Sequence, residues 1–136
     1  MKTLIDTSFI VALVNQKDED HEKALKLSAD FERKQMVVTD AVLLEIGNSL
    51  SRRFKQSCID AIDGLFDSNE VQIIRLDEII FSKAFELYRT HIDKTWGLVD
   101  CVSFIVMKEL NITDSLTSDR HFVQAGFRAL MIESVN

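Results

Sequence analysis

The chain has no proline, only four glycines and two cysteines, and no long apolar run among its 136 residues. Each scarcity excludes something. With no Pro- or Gly-rich stretch and no low-complexity segment or repeat, nothing marks a domain boundary, and a single domain over residues 1–136 is expected. The scattered glycines form neither GxGxxG nor GxxxxGK, which excludes the common nucleotide-binding loops. Cys58 and Cys101 are too few for a disulfide framework or a zinc site and read as reduced, packed thiols. No apolar run reaches the roughly 18 residues that cross a bilayer. Asp6 interrupts the apolar opening and no small-residue cleavage site follows, so no membrane association is expected and the cytoplasm is the expected location. Basic charge is in short supply too. Lys and Arg number 16 against 22 Asp and Glu, a net charge of −6, which excludes a protein that holds nucleic acid by a large positive field. Local grip, or grip through bound cations, stays open.

What is present fits an ordinary globular protein: 46 % hydrophobic and 28 % charged residues. A chain of this length buries roughly two-thirds of the surface its unfolded form exposes. Apolar periodicity sets the layout. Residues 2–5 form a short buried strand, and Ser8 caps a helix beginning at Phe9. Acidic "QKDEDHEKA" introduces a helix to about Lys34 whose charges read as a solvated face. "MVVTD" (36–40) is a strand ending at Thr39 or Asp40 as helix cap, and "AVLLEIGNSLSRRF" is helical, with Leu43, Ile46, Leu50 and Phe54 on one side. Residues 56–67 form a helix, 71–76 a strand, and 77–92 an amphipathic helix. Residues 97–110, apolar almost all round, predict a helix buried in mid-domain. A strand at 115–117, with Asp114 as an optional first residue, a short helix at 119–124 and a strand at 128–132 complete the pattern. Short apolar strands alternating with helices predict an α/β fold, a mainly parallel sheet in a three-layer α/β/α sandwich. Ligands in such folds bind beyond the carboxyl ends of the strands.

Asp6, Glu45, Asp100 and Asp119 all fall at a strand end or near a helix start, where they can converge on one edge of the sheet. Asp6 and Asp100 lie in apolar sequence, where an unpaired carboxylate is costly. Carboxylates held together repel one another unless a cation neutralises them. Hard oxygen ligands suit Mg²⁺ or Mn²⁺, and no His/Cys spacing favours zinc. Hydrolysis of a phosphate ester is the chemistry this implies.

The segments "LIDTSFIVAL", "VTDAVLLEIGNSL", "WGLVDCVSFIVM" and "LTSDRHF", in this order over nearly the whole chain, resemble a PIN domain, in particular the short ribonucleases of the VapC toxin type. The resemblance implies a Mg²⁺- or Mn²⁺-dependent endoribonuclease acting on RNA, commonly a homodimer and, in toxins, paired with a small antitoxin. Asp6, Glu45, Asp100 and Asp119 fall on the family's acidic positions. Carried over, Asp6 and Asp100 are the principal metal ligands, Asp119 completes the site directly or through water, and Glu45 orients or deprotonates the attacking water. Ser8 matches the family's hydroxyl position and bonds Asp6 or a metal-bound water, or is a plain N-cap; Ser103 and Thr117 are supporting residues.

Other residues admit plainer readings. Arg52, Arg53 and Lys55, at the end of the Glu45 helix, hold RNA phosphates or complement the helix dipole. Arg120 could touch substrate, whereas His121 reads as exposed, and His21 and His91 as solvated. Trp96 packs at the start of the Asp100 helix or stacks on a base. Asp114 precedes its strand and is left out of the site. A phosphatase would want a second Asp where Ser8 stands, and a phospho-receiver would want adjacent acids after the first strand and a Lys in "RALMIE". The remaining alternative is a catalytically silent RNA-binding or assembly protein of the same fold, against which the four intact acids speak.

Overall fold

We describe residues 1–133 of a computed structural model of the chain. Five parallel strands form one sheet in the order β3-β2-β1-β4-β5: β1 (Thr3–Ile5), β2 (Met36–Thr39), β3 (Val71–Ile74), β4 (Asp114–Leu116) and β5 (Arg128–Ala129). Seven helices connect them: α1 (Thr7–Val14), α2 (His21–Asp30), α3 (Asp40–Leu50), α4 (Lys55–Asp67), α5 (Glu78–Thr90), α6 (Leu98–Glu109) and α7 (Arg120–Gln124).

Strand alternation builds the three layers. Ile5 and Val38 enter one core with Phe9, Val42, Ile46 and Leu50; Leu4 and Val37, one residue earlier, enter the other with Val102, Phe104, Met107 and Phe122. Successive side chains of a strand point to opposite faces, and a sheet buried on both sides therefore reads as an unbroken apolar run. Leu4 pairs with Val37 on one flank and Ser115 on the other, so β1 is the central strand. From β1 the chain winds outward to β2 and β3, then returns to lay β4 and β5 on the opposite side. The strand order thus reverses between β1 and β4, and there the loops beyond the carboxyl ends part to leave a crevice.

Several boundaries differ from the periodicity reading. Helix α1 starts at Thr7, so Ser8 lies inside it and Asp6 occupies the N-cap position. Of the two possible caps, Thr39 accepts the Val42 N–H at 3.1 Å, and Asp40 is the first helical residue. Helix α3 stops at Leu50, so Arg52 and Arg53 lie in the turn beyond it and Lys55 opens α4. Strand β4 takes in Asp114, the optional first residue, and ends at Leu116, leaving Thr117 just past its end. Strand β5 is only two residues long: the chain turns directly after it, with the Ile132 N–H on the Ala129 carbonyl, while the Leu130 and Met131 N–H groups still reach the Ser115 and Thr117 carbonyls. Gly126, at φ 96°, makes the left-handed turn between α7 and β5. Asp114 stands at the amino end of the sheet, ion-paired with Arg128 at 3.2 Å, away from the crevice. Cys58 and Cys101 are free and buried.

Candidate active site

Asp6 follows the central strand and is 4 % exposed. Its carboxylate does not cap α1; Oδ2 accepts a hydrogen bond from Thr117 Oγ1 at 2.7 Å. Thr117 Oγ1 also accepts the Asp119 N–H at 3.0 Å and lies 3.1 Å from Ser8 Oγ. Ser8 Oγ accepts the Ser118 N–H at 3.0 Å. With the Thr117 proton committed to Asp6, the proton between the two hydroxyls is that of Ser8, giving a relay Ser8 to Thr117 to Asp6 that ties α1 to the end of β4. Ser8 is therefore neither a helix cap nor a direct partner of Asp6. Burial pushes the Asp6 carboxyl up to about 7; Asp100 and Glu45 push the same way, against the Thr117 bond and the Thr7 amide.

Glu45 reaches in from the second turn of α3, where Oε1 accepts a hydrogen bond from Thr7 Oγ1. Thr7 was not singled out in the sequence, because its pairing with Glu45 depends on α1 packing against α3. Asp100, in the first turn of α6, accepts the Gly97 N–H at 3.1 Å and stands 3.0 Å from His121 Nδ1. Burial raises its pKa, with the Gly97 and His121 bonds opposing. Asp119 caps α7 by accepting the His121 N–H at 2.9 Å, and its Oδ1 lies 3.2 Å from His121 Nδ1.

One crevice of about 540 Å³ is lined by Asp6, Glu45, Asp100 and Asp119 together with Thr7, Ser8, Ser118 and the acidic trio Asp18, Glu19 and Asp20. The trio corrects the reading of that segment as only a solvated face: the turn before α2 brings it to the crevice. No Lys or Arg among the described residues lines this space.

The model of the PIN domain matches residues 3–128. The chain belongs to the PIN-domain family. It is similar to the 23S rRNA-specific endonuclease VapC20, found in two strains of Mycobacterium tuberculosis, with 31 % identity over 124 residues, covering 90 % of this chain and 93 % of the relative. The crystal structure of Mycobacterium tuberculosis VapC20, a Sarcin-Ricin loop cleaving toxin, matches with a TM-score of 0.84 and 28 % identity over 93 % of this chain and 96 % of that one. VapBC2 from Rickettsia felis, solved bound to a DNA fragment from their promoter, shares the fold, with a TM-score of 0.64 and 18 % identity over 92 % and 93 % of the two chains.

The crevice of this PIN domain fits a hard divalent cation. Its donors are carboxylate oxygens, and the most buried, Asp6, faces other acids and one hydroxyl but no Lys or Arg. A cation there offsets both the desolvation and the mutual repulsion that raise the Asp6 and Asp100 pKa values.

The supporting residues divide. Thr117 holds Asp6 directly and Ser8 holds Thr117. Ser103 does not support Asp100: it is fully buried and its Oγ has no hydrogen-bond partner among the described residues. Arg52, Arg53, Lys55 and Arg120 are exposed and stand outside the crevice; Arg53 borders a separate hollow with Lys17, Phe54 and Ser57. Trp96 is 8 % exposed, with its ring stacked on His91 and set edge-on to Phe104 and its Nε1 donating to Gln124 Oε1 at 3.0 Å, so it packs and does not present a face to a base. His91 and His21 are not simply solvated either, since their Nδ1 atoms bond the Leu87 and Ala12 carbonyls.

The larger correction concerns His121. It is 25 % exposed at the side chain and bridges Asp100 and Asp119, with Nε2 3.0 Å from Thr95 Oγ1. Its one visible signal was the Asp-x-His spacing across a helix cap, and the partner carboxylate on α6 is invisible without the fold.

Proposed function

We propose that this protein is a metal-dependent endoribonuclease that hydrolyses RNA phosphodiester bonds, and that it is the toxin of a VapBC-type toxin–antitoxin pair. The observation that carries the reading is the convergence of Asp6, Glu45, Asp100 and Asp119 on one crevice at the switch point of the sheet. Support comes from the resemblance to VapC20, an endonuclease specific for 23S rRNA. All four acids are intact, which speaks against a silent binding protein of the same fold.

Asp6, Asp100 and Asp119 would hold Mg²⁺ or Mn²⁺, which when bound polarises a phosphoryl oxygen, acidifies a water and stabilises the leaving oxygen. The chain's own groups do the rest. The Ser8–Thr117 relay fixes the Asp6 carboxylate in one orientation, and an N–H at Gly97 does the same for Asp100. Glu45, steadied by Thr7, accepts the proton of the water whose oxygen attacks phosphorus, while the bond from phosphorus to the leaving oxygen breaks. Arg52, Arg53, Lys55 and Arg120 take phosphates further along the strand. The remaining assignments are a homodimer, a small antitoxin partner and a cytoplasmic location; among the described residues no helix is long and apolar enough to cross a membrane.

The test is to incubate the purified protein with structured and single-stranded RNAs in Mg²⁺, in Mn²⁺ and in EDTA. Cleavage is expected with either ion, none in EDTA, and none from Asp6→Asn. Cleavage that survives EDTA would sink the metal mechanism, and folded, metal-bound protein that cuts no RNA would favour the silent reading.

A further inference from the structure

His121 is placed as more than a neighbour of the acidic site. Its Nδ1 stands 3.0 Å from Asp100 Oδ2 and 3.2 Å from Asp119 Oδ1, and one donor atom from each of the three residues lies within 4.8 Å of the others. For metal–ligand bonds of about 2.1 Å, adjacent corners of an octahedron are about 3.0 Å apart. The imidazole nitrogen thus stands from both carboxylates at the spacing of adjacent ligands on one ion. The far side of the ring supplies an independent observation: Nε2 meets the hydroxyl of Thr95 at 3.0 Å. Histidines that bind metals characteristically hydrogen-bond through the second nitrogen, which holds the ring and its tautomer in place. A hydroxyl can donate or accept. With Nδ1–H given to the carboxylates, Thr95 donates to Nε2; with the Nδ1 lone pair turned inward, Nε2–H donates to Thr95. The two arrangements each carry a single ring proton and differ only in which nitrogen holds it.

The geometry points to His121 as a nitrogen ligand of the catalytic cation, joining Asp100 and Asp119 in a donor set of two carboxylates and one imidazole and biasing the site toward a first-row transition ion such as Mn²⁺ over Mg²⁺. Imidazole nitrogen is a softer donor than carboxylate oxygen, and Mg²⁺ dehydrates reluctantly and prefers oxygen. The inference rests on the cation reading of the preceding section and adds the nitrogen to it.

Mn²⁺ alone is the probe, and the readout is spectroscopic. In the full chain loaded with Mn²⁺, electron spin-echo modulation from a directly bound ¹⁴N is expected, and it disappears in His121→Ala. In titrations, the Mn²⁺ dissociation constant rises about tenfold or more in that variant, whereas the Mg²⁺ constant rises less than about threefold. His121→Asn serves as a second variant should Ala disturb α7. Mn²⁺ bound to the wild type without nitrogen modulation, or with modulation that persists in a folded His121 variant, overturns the assignment and leaves the carboxylate site standing. Failure of Mn²⁺ to bind the wild type more tightly than Asp6→Asn overturns both.

Discussion

A carboxylate only 4 % exposed is stable in a folded chain if it stays protonated or meets a cation, and among the described residues no Lys or Arg lines the crevice at Asp6. Its folded pKa of about 7 lies above the ordinary 3.8. Both folded and unfolded chains are protonated at Asp6 below about pH 4; between there and about 7 the folded chain binds the extra proton, so its stability falls as pH rises through that window. The ceiling on the loss is roughly 4 kcal/mol. In EDTA, urea unfolding from about pH 5 to about pH 8 is expected to show this decline, and Asp6→Asn to flatten most of it. Added Mg²⁺ or Mn²⁺ restores stability at the upper end in the wild type and much less in the variant. A metal-free stability as high at the upper end as at the lower would contradict the assignment of Asp6. Cys101, beside Asp100 in the chain, is held inert by the same physics: burial, with Asp100 adding to it, pushes its thiol up to about 11.

Among the elements, α1 and α3 are joined at the crevice itself. Thr7 Oγ1 is the first side-chain donor of α1 and spends its proton on Glu45 of α3, so one hydrogen bond couples the helix after β1 to the helix after β2. Thr7→Val keeps the shape and removes the donor. A hydrogen bond to a charged group contributes about 1.5–3 kcal/mol, so kcat is expected to fall roughly tenfold or more, with Thr7→Ser recovering most of it. Asp77→Ala makes the matching control. Asp77 caps the exposed start of α5 by accepting the Ile80 N–H at 2.8 Å, far from the crevice lining, and its loss costs about 1 kcal/mol of stability with no change in kcat. Equal rate losses in the two variants would mean that Thr7 acts only through stability.

For the whole molecule, the site is a consequence of strand order. β1 and β4 are neighbours although most of the chain separates them, and Asp6 and Asp119 line one crevice because each follows one of these strands. Asp100 is delivered by α6, whose position depends on an aromatic stack: Phe104, 1 % exposed, meets Trp96 at 5.1 Å, Phe122 at 5.0 Å and Phe127 at 5.7 Å between ring centres. Phe104→Ala is expected to cost about 3–5 kcal/mol in urea unfolding, a large share of a domain's total stability. Because the same stack carries α7 through Phe122, divalent-cation affinity falls along with stability. Unchanged cation affinity in a destabilised Phe104→Ala would show that the crevice is held independently of this core.

The order of elements, the parallel sheet and the convergence of Asp6, Glu45, Asp100 and Asp119 were legible in the sequence. Apolar runs buried on both faces and acids at strand ends or helix starts are local patterns, and the strand-to-helix alternation leaves few ways to assemble them. Boundaries shifted where tertiary contacts outweighed periodicity: Asp6 stands at the N-cap position of α1 without capping it, its carboxylate and the Ser8 hydroxyl both engaged by Thr117 from the far end of the chain. The partners of the acids were decided by tertiary structure. Thr7 on Glu45, Thr117 on Asp6, and His121 between Asp100 and Asp119 join residues brought together by strand order and helix packing. A carboxylate's need for a partner can be read from the residues around it in the chain, but which side chain meets that need depends on distances that exist only after the chain has folded.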